Sequence, residues 1–181
     1  MLIGFCRLHK IFKTIFMKKI IFTLIILFSL NGFSQFGIKV NYASYNLKAS
    51  FEGISADETA DGFGVGLDYA FELGATTLIA GLNADFLSSD GESETVITPS
   101  AVIRYPLGDT FGLRGGLAIV NWSDAEDPIK ASLLHLPIGL DVEVSEKLSI
   151  IANYSIALGD RLDGDGKLTD NNVNVGLHYK F

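Results

Sequence analysis

The stretch Gly62–Leu73 constrains this chain more than any other. Its odd positions hold Phe63, Val65, Leu67, Tyr69, Phe71 and Leu73, and its even positions hold Gly62, Gly64, Gly66, Asp68, Ala70 and Glu72. One set is wholly apolar and the other is small or charged. A period of two places alternate side chains on opposite faces of a β-strand and does not fit the 3.6-residue repeat of a helix. Seven further stretches alternate in the same way: Phe36 to Leu47, Thr76 to Leu87, Thr95 to Leu107, Phe111 to Trp122, Ala131 to Val144, Leu148 to Leu158 and Asn171 to Phe181. In the first of these the phase is lost near Ser44, where Tyr45 and Leu47 fall on the wrong face, so a β-bulge is expected there. Pro99 and Pro137 fall inside predicted strands, on opposite faces, where each removes a ladder donor.

Strand length then selects the environment. Strands in soluble sheets average about 5–6 residues, whereas a tilted strand crossing a bilayer needs about 9–11. The alternating stretches here fit the second class. The links at 74–75, 108–110 and 145–147 are tight, and those at 48–61, 88–94, 123–130 and 159–170 are longer and polar. Tight turns at one end and long loops at the other describe a transmembrane barrel. The expected fold class is all-β, an eight-stranded antiparallel up-and-down transmembrane β-barrel.

Composition agrees. Mean hydropathy is positive at +0.32 although the net charge is -7. A helical membrane protein gathers its apolar residues into runs of about 20, and only the N-terminal region holds a long apolar run, Ile20 to Leu30. A multi-span helical protein, a disordered chain, a disulfide scaffold and a basic nucleic-acid binder are excluded.

Residues 1–34 carry Arg7, Lys10, Lys13, Lys18 and Lys19 and no acidic residue. The basic stretch, the short apolar run and the small residues Gly32 and Ser34 before Gln35 form a secretory signal. An uncleaved membrane anchor is the alternative. Met17 directly precedes the two lysines and is read as the true start, with residues 1–16 as an upstream extension. The mature domain is then 35–181. Cys6 precedes the apolar run and is not at the cleavage point, so the mature chain has no cysteine and no disulfide. Removal of the leader leaves nine basic against 21 acidic residues, a net charge of -12.

The apolar face is expected to meet lipid. The opposite face carries Lys39, Asp68, Glu72, Asp85, Arg104, Arg114, His135, Asp141, Glu143, His178 and Lys180, together with many glycines. Eight strands leave a lumen just wide enough for side chains, and glycine relieves the crowding. Phe71, Tyr105, Phe111, Tyr179 and Phe181 fall near the tight-turn end, and Phe63, Phe86 and Trp122 near the other, as two interfacial girdles. The tight turns and both mature termini are expected to face the periplasm.

The chain end, Val173-Asn-Val-Gly-Leu-His-Tyr-Lys-Phe181, resembles the terminal strand of bacterial outer-membrane barrels. Phe36-Gly-Ile-Lys-Val-Asn-Tyr-Ala-Ser and Ile97-Thr-Pro-Ser-Ala-Val-Ile-Arg-Tyr are similar to segments of the small outer-membrane β-barrel family common in Bacteroidota, porin-like barrels of the OmpX/OmpA type. The likeness spans the mature chain and implies an outer-membrane location in a Gram-negative bacterium. It also implies that Val173, Val175, Leu177, Tyr179 and Phe181 form an assembly signal read by the barrel-assembly machinery. The family is defined by its barrel, so function must come from the residues.

Those residues point to structure and contact more than to chemistry. Lys39, Arg104, Arg114 and Lys180 against Asp68, Glu72, Asp85, Asp141 and Glu143 read as a lumen network of paired charges. No cofactor or metal is expected. The role inferred is structural or interactive: envelope integrity, adhesion or surface ligand contact through acidic loops. A narrow porin-like conduit for small solutes is the first alternative. A lipid-modifying enzyme using His135 with Ser132 or Asp141 is the second. Asp163-Gly-Asp165-Gly166-Lys-Leu168 partly matches an EF-hand loop, but Arg161 and Asn172 stand at its first and twelfth positions, so a polar hairpin is the better reading. The expected partners are outer-membrane lipid and lipopolysaccharide and the assembly machinery, with no nucleic acid, and the barrel is expected to be a monomer.

Overall fold

The computed structural model describes residues 35–51, 54–89, 91–123, 132–163 and 166–181. The leader and its cleavage point fall outside these residues, as does most of the link after Trp122. The strands are β1 (Phe36–Phe51), β2 (Ile54–Leu73), β3 (Thr76–Ser89), β4 (Glu92–Leu107), β5 (Phe111–Trp122), β6 (Ser132–Glu143), β7 (Leu148–Ala157), β8 (Arg161–Asp163) and β9 (Gly166–Lys180). Neighbours pair antiparallel in chain order, and β9 returns to β1, which closes the sheet.

The barrel has eight strands, because β7 and β8 are two parts of one. Both pair with β9, but their registers, Ser155↔Asn172 and Arg161↔Leu168, differ by two residues. The excess is taken up between Ala157 and Arg161. Side chains fill the break: Ala157 N donates to Asn171 Oδ1 at 3.0 Å, and Thr169 Oγ1 donates to Asp160 Oδ1 at 2.6 Å. At the EF-hand-like segment β8 and β9 pair antiparallel, with Asp163 opposite Gly166, and residues 164–165 lie outside the described residues.

Three sequence expectations change. First, β1 has no bulge. Its register is continuous with β2 from Phe36↔Tyr69 to Phe51↔Ile54, and with β9 from Gly37↔Lys180 to Ser50↔Lys167. Tyr45 and Leu47 keep phase with Asn41 and Ala43 and face the lumen. Second, the links at 48–61 and 88–94 are mostly strand, paired as far as Phe51↔Ile54 and Ser89↔Glu92. The ladder continues where the apolar/polar alternation stops, because beyond the membrane both faces are wet. Third, Trp122 is in no outer girdle. It shares the inward phase of Gly112 and Ala118 and is 6% exposed.

The prolines acquire a physical account. The β4–β5 ladder pairs Ile97↔Asn121 and resumes at Ser100↔Ala118, skipping Thr98 and Pro99. The β5–β6 ladder pairs Gly115↔Ile138 and resumes at Ala118↔His135, skipping Leu136 and Pro137. Register is the same on both sides of each gap. Each proline thus turns its missing N–H toward β5 and keeps pairing on its other side, Pro99 with Leu82 and Pro137 with Ser155.

The outward face carries an apolar belt with a sharp upper limit. Tyr42, Phe63, Phe86, Ile97, Ile119, Leu134 and Val173 are all exposed large hydrophobics. The next outward residue along the same strand is Ser44, Asp61, Ser88, Thr95, Asn121, Ser132 or Asn171. Phe63–Leu73, at about 3.4 Å per residue and about 40° tilt, rises about 26 Å, the height of a barrel's lipid-facing band. At the tight-turn rim Phe181 packs near Tyr179 and Phe36, with ring centroids 5.4 and 6.3 Å away. Gly74 (φ 67°) and Gly108 (φ 78°) turn the chain there in the left-handed region.

Candidate functional site

The inner face is the natural place to look for chemistry, and it divides into three tiers. At the tight-turn rim, β4, β6 and β9 converge on an ion-pair cluster. Arg104 Nε is 2.7 Å from Asp141 Oδ2, Arg104 Nη2 is 3.2 Å from Glu143 Oε1, and Lys180 Nζ donates to the same Glu143 oxygen at 2.7 Å. Gly112 supplies the space: a Cβ there would stand 2.7 Å from Arg104 Nε. Beside this cluster His178 Nε2 lies 3.0 Å from Asp68 Oδ1, over the bare α-carbon of Gly37.

The middle tier is built on Asp85, which is 1% exposed. Its Oδ1 accepts from Asn41 Nδ2 at 2.8 Å and Asn83 Nδ2 at 2.6 Å, and its Oδ2 accepts from Tyr45 Oη at 2.9 Å. Asn41 Nδ2 also donates to Asn174 Oδ1 at 2.7 Å, and Asn174 Nδ2 to Asn172 Oδ1 at 2.7 Å. Lys39 and Arg114 face this tier across a cavity of about 60 Å³. A carboxylate surrounded by neutral donors is stabilised without a cation in contact with it.

The upper tier closes the tube. His135 and Asp170 are fully buried, with His135 Nε2 2.9 Å from Asp170 Oδ1, and Trp122 Nε1 donates to Asp170 Oδ2 at 2.6 Å. The Trp122 ring meets Tyr45 edge-on at 5.4 Å. Around them Ala43, Ala60, Leu87, Val96 and Val120 form an apolar cluster inside the barrel. Among the described residues, the lumen is packed with side chains at one end and cross-braced by ion pairs at the other, as expected of an eight-stranded barrel whose interior side chains fill.

The residues singled out in the sequence are therefore spread over two tiers and the rim. Lys39, Asp68, Asp85, Arg104, Arg114, Asp141, Glu143 and Lys180 face inward. Glu72 is exposed at the tight-turn rim, beyond the charged cluster, because it is the last inward position before the β2–β3 turn. His135 has neither of its proposed catalytic partners. Asp141 pairs with Arg104, and Ser132, three residues before His135, lies on the outer face beside Asn121. Val173, Val175, Leu177 and Tyr179 form the outward row of β9, and Phe181, just past its end, is exposed in the same phase and donates from its N to Phe36 O at 3.0 Å.

Sequence reasoning missed the upper tier. Asp170 falls at the end of the polar link 159–170 in the sequence pattern, and Tyr45 falls out of phase there. The signal was parity: Tyr45, Leu87, Val96, Val120 and Trp122 are apolar residues in inward phase, all at the same end of their strands.

The chain matches the outer membrane protein beta-barrel domain family over residues 20–181. No curated protein matches it by sequence. Among solved structures, Neisserial surface protein A is similar at 14% identity and TM-score 0.50, over 80% of this chain and 97% of that one. The attachment invasion locus protein of Yersinia pestis gives 14% identity and TM-score 0.48, over 81% and 99%. OprG from Pseudomonas aeruginosa gives 15% and 0.43, over 82% and 96%. With a closed eight-stranded sheet, a lipid-height apolar belt and a match over most of its length, the chain belongs to the outer-membrane β-barrel domain family.

Proposed function

We propose that this barrel serves at the surface of a Gram-negative cell as a closed scaffold that presents a β-sheet blade for contact with an extended, basic partner. It reaches the outer membrane through the periplasm, stands there as a monomer among lipid and lipopolysaccharide, and keeps its tight turns on the periplasmic side. The observation that carries this reading is the free strand above the belt. Ile54–Ala60 pairs with β1 on one side, while the β2–β3 ladder begins only at Asp61↔Ser88. Among the described residues no strand covers its other edge, and Ile54 to Thr59 are exposed. At its base Thr59 O accepts from Ser89 Oγ at 3.1 Å; beyond that point the edge has no partner strand among the described residues and presents its backbone groups to an added strand. Asp57, Glu58, Asp61 and Glu92 surround it with negative charge, which favours a basic partner and opposes self-pairing.

The test is to replace residues 48–57 by a two-residue Asn-Gly turn, joining the paired positions Leu47 and Glu58. The shortened barrel is expected to fold with undiminished yield, while binding of an immobilised lysine-rich peptide falls at least tenfold. Unchanged binding would contradict the proposal.

The conduit reading has its own measurement. Because the lumen is filled, reconstitution into a planar bilayer is expected to give no steady single-channel current, and a stable large current would favour the conduit. A lipid-modifying role lacks support in the surroundings of His135, and His135→Ala is expected to leave the acylation of lipid A unchanged. Assembly is expected to depend on the terminal row: deletion of Phe181 removes its bond to Phe36 O and its ring contacts, and the yield of heat-modifiable barrel in cells is expected to fall severalfold. An undiminished yield would count against a role for Phe181 in recognition by the assembly machinery.

A further inference from the structure

Among the described residues the lumen sets four cations, Lys39, Arg104, Arg114 and Lys180, against five carboxylates, and their pairing is uneven. Asp141 and Glu143 are held in the rim cluster, Asp68 on His178, Asp85 on Asn41, Asn83 and Tyr45, and Asp170 on His135 and Trp122. Lys39 and Arg114 have no carboxylate within ion-pair distance among the described residues, and Arg114 Nε is buried without a hydrogen-bond partner. Lysine offers three N–H donors and arginine five. These donors face the 60 Å³ cavity and a second one of about 30 Å³ that shares Lys39, Asn83, Ser100 and Arg114 with it. A water needs about 10–15 Å³ of such space, so the two cavities admit a few bodies of that size.

The cavity is walled by residues that leave room. A Cβ on Gly66 would stand 2.7 Å from Asn83 Oδ1 and 3.2 Å from Lys39 Cε, and one on Gly81 would stand 3.2 Å from Ser100 Oγ. Ser100 and the buried, unpartnered hydroxyl of Thr98 add two rotatable donors. Two cations and two hydroxyls line this space, together with Asn83 and with Asp85, whose oxygens already accept from Asn41, Asn83 and Tyr45. A buried cation without a counter-charge in contact is costly. A spherical anion accepts from all sides and would meet both cations at once.

We propose that the cavity between Lys39 and Arg114 is a binding site for a small monovalent inorganic anion, held inside the closed barrel. The site stands apart from the blade reading and does not depend on it. Chloride and bromide are the probes. For the folded barrel in a neutral detergent, exchange of gluconate for chloride at constant ionic strength is expected to raise the urea midpoint of unfolding. The rise is expected to grow with the logarithm of chloride once the site fills, as ligand linkage requires. Gluconate, a large hydroxylated anion, serves as the comparison. In Lys39→Met and in Arg114→Met the chloride dependence is expected to disappear. Should either variant fail to fold, crystals of the unaltered protein grown in bromide answer the same question: an anomalous peak between Lys39 Nζ and the Arg114 guanidinium is expected. Equal midpoints in chloride and gluconate, or water alone between the two cations in bromide crystals, would overturn the proposal.

Discussion

Replacing Asp85 with alanine is expected to destabilise the barrel by roughly 3–5 kcal/mol, the largest effect of any single lumen substitution. The carboxylate is 1% exposed and accepts from Asn41, Asn83 and Tyr45. Its removal leaves three buried donors to find new partners, at about 1–3 kcal/mol for each that fails. Asn41 has an alternative in Asn174, so the loss stays below the full sum. The effect reaches beyond β3, because Tyr45 is tied to Asp85 at its hydroxyl and to Trp122 at its ring. Trp122 is the only tryptophan, so its fluorescence reports unfolding from inside the affected cluster. Asp85→Asn keeps one acceptor oxygen and is expected to lose about half as much. If Asp85→Ala unfolds at the same urea concentration as the unaltered protein, the polar tier does not hold the lumen together.

The second large effect belongs to the outer face. Leu117 lies midway along β5 and points outward, 51% exposed in the isolated chain. In a bilayer that exposure means contact with acyl chains. Leu117→Arg is expected to cost about 2–4 kcal/mol when unfolding is measured from lipid vesicles, and an arginine at the rim position Phe111 only about 0–1 kcal/mol. The same Leu117→Arg substitution on a water-facing surface would cost a few tenths of a kcal/mol. The ratio between the two positions therefore reports depth in lipid and not generic disruption. Equal costs at Leu117 and Phe111 would place the belt in a uniform medium and contradict the membrane assignment.

How much of this was legible beforehand follows from where the alternation had physical cause. Within the lipid-height band one face must be apolar and the other must fit a crowded polar lumen. Gly62–Leu73 therefore announced its strand, its faces and its ends, and the tight turns at 74–75 and 108–110 were equally plain. Above the band that constraint lapses. Residues 48–61 read as a loop because neither face is selected for apolar side chains, yet backbone pairing carries both strands to Phe51↔Ile54. Tyr45 shows the inverse case. It broke the expected pattern because the upper lumen is apolar, and a change in the chemistry of a face was read as a change of register. Asp170 was invisible for a different reason. Its partners His135 and Trp122 lie 35 and 48 residues away, and which residues meet across a barrel depends on the stagger of all the intervening strands. The charged lumen residues were identifiable as a set, but their pairing, and the two cations left facing a cavity, required coordinates.

The account rests on one assignment, that alternate residues of each strand face lipid while the others face a closed lumen. Nitroxide labels placed one at a time along Phe111–Trp122, in barrels reconstituted into bilayers, test it most directly through collision with oxygen and with a water-soluble nickel chelate. The expected result is a period of two: oxygen access high at 111, 113, 115, 117 and 119, greatest at 115–117, with both reagents largely excluded at 112, 114, 116, 118 and 120. Access of the nickel chelate along the odd positions, or no alternation at all, would contradict the account.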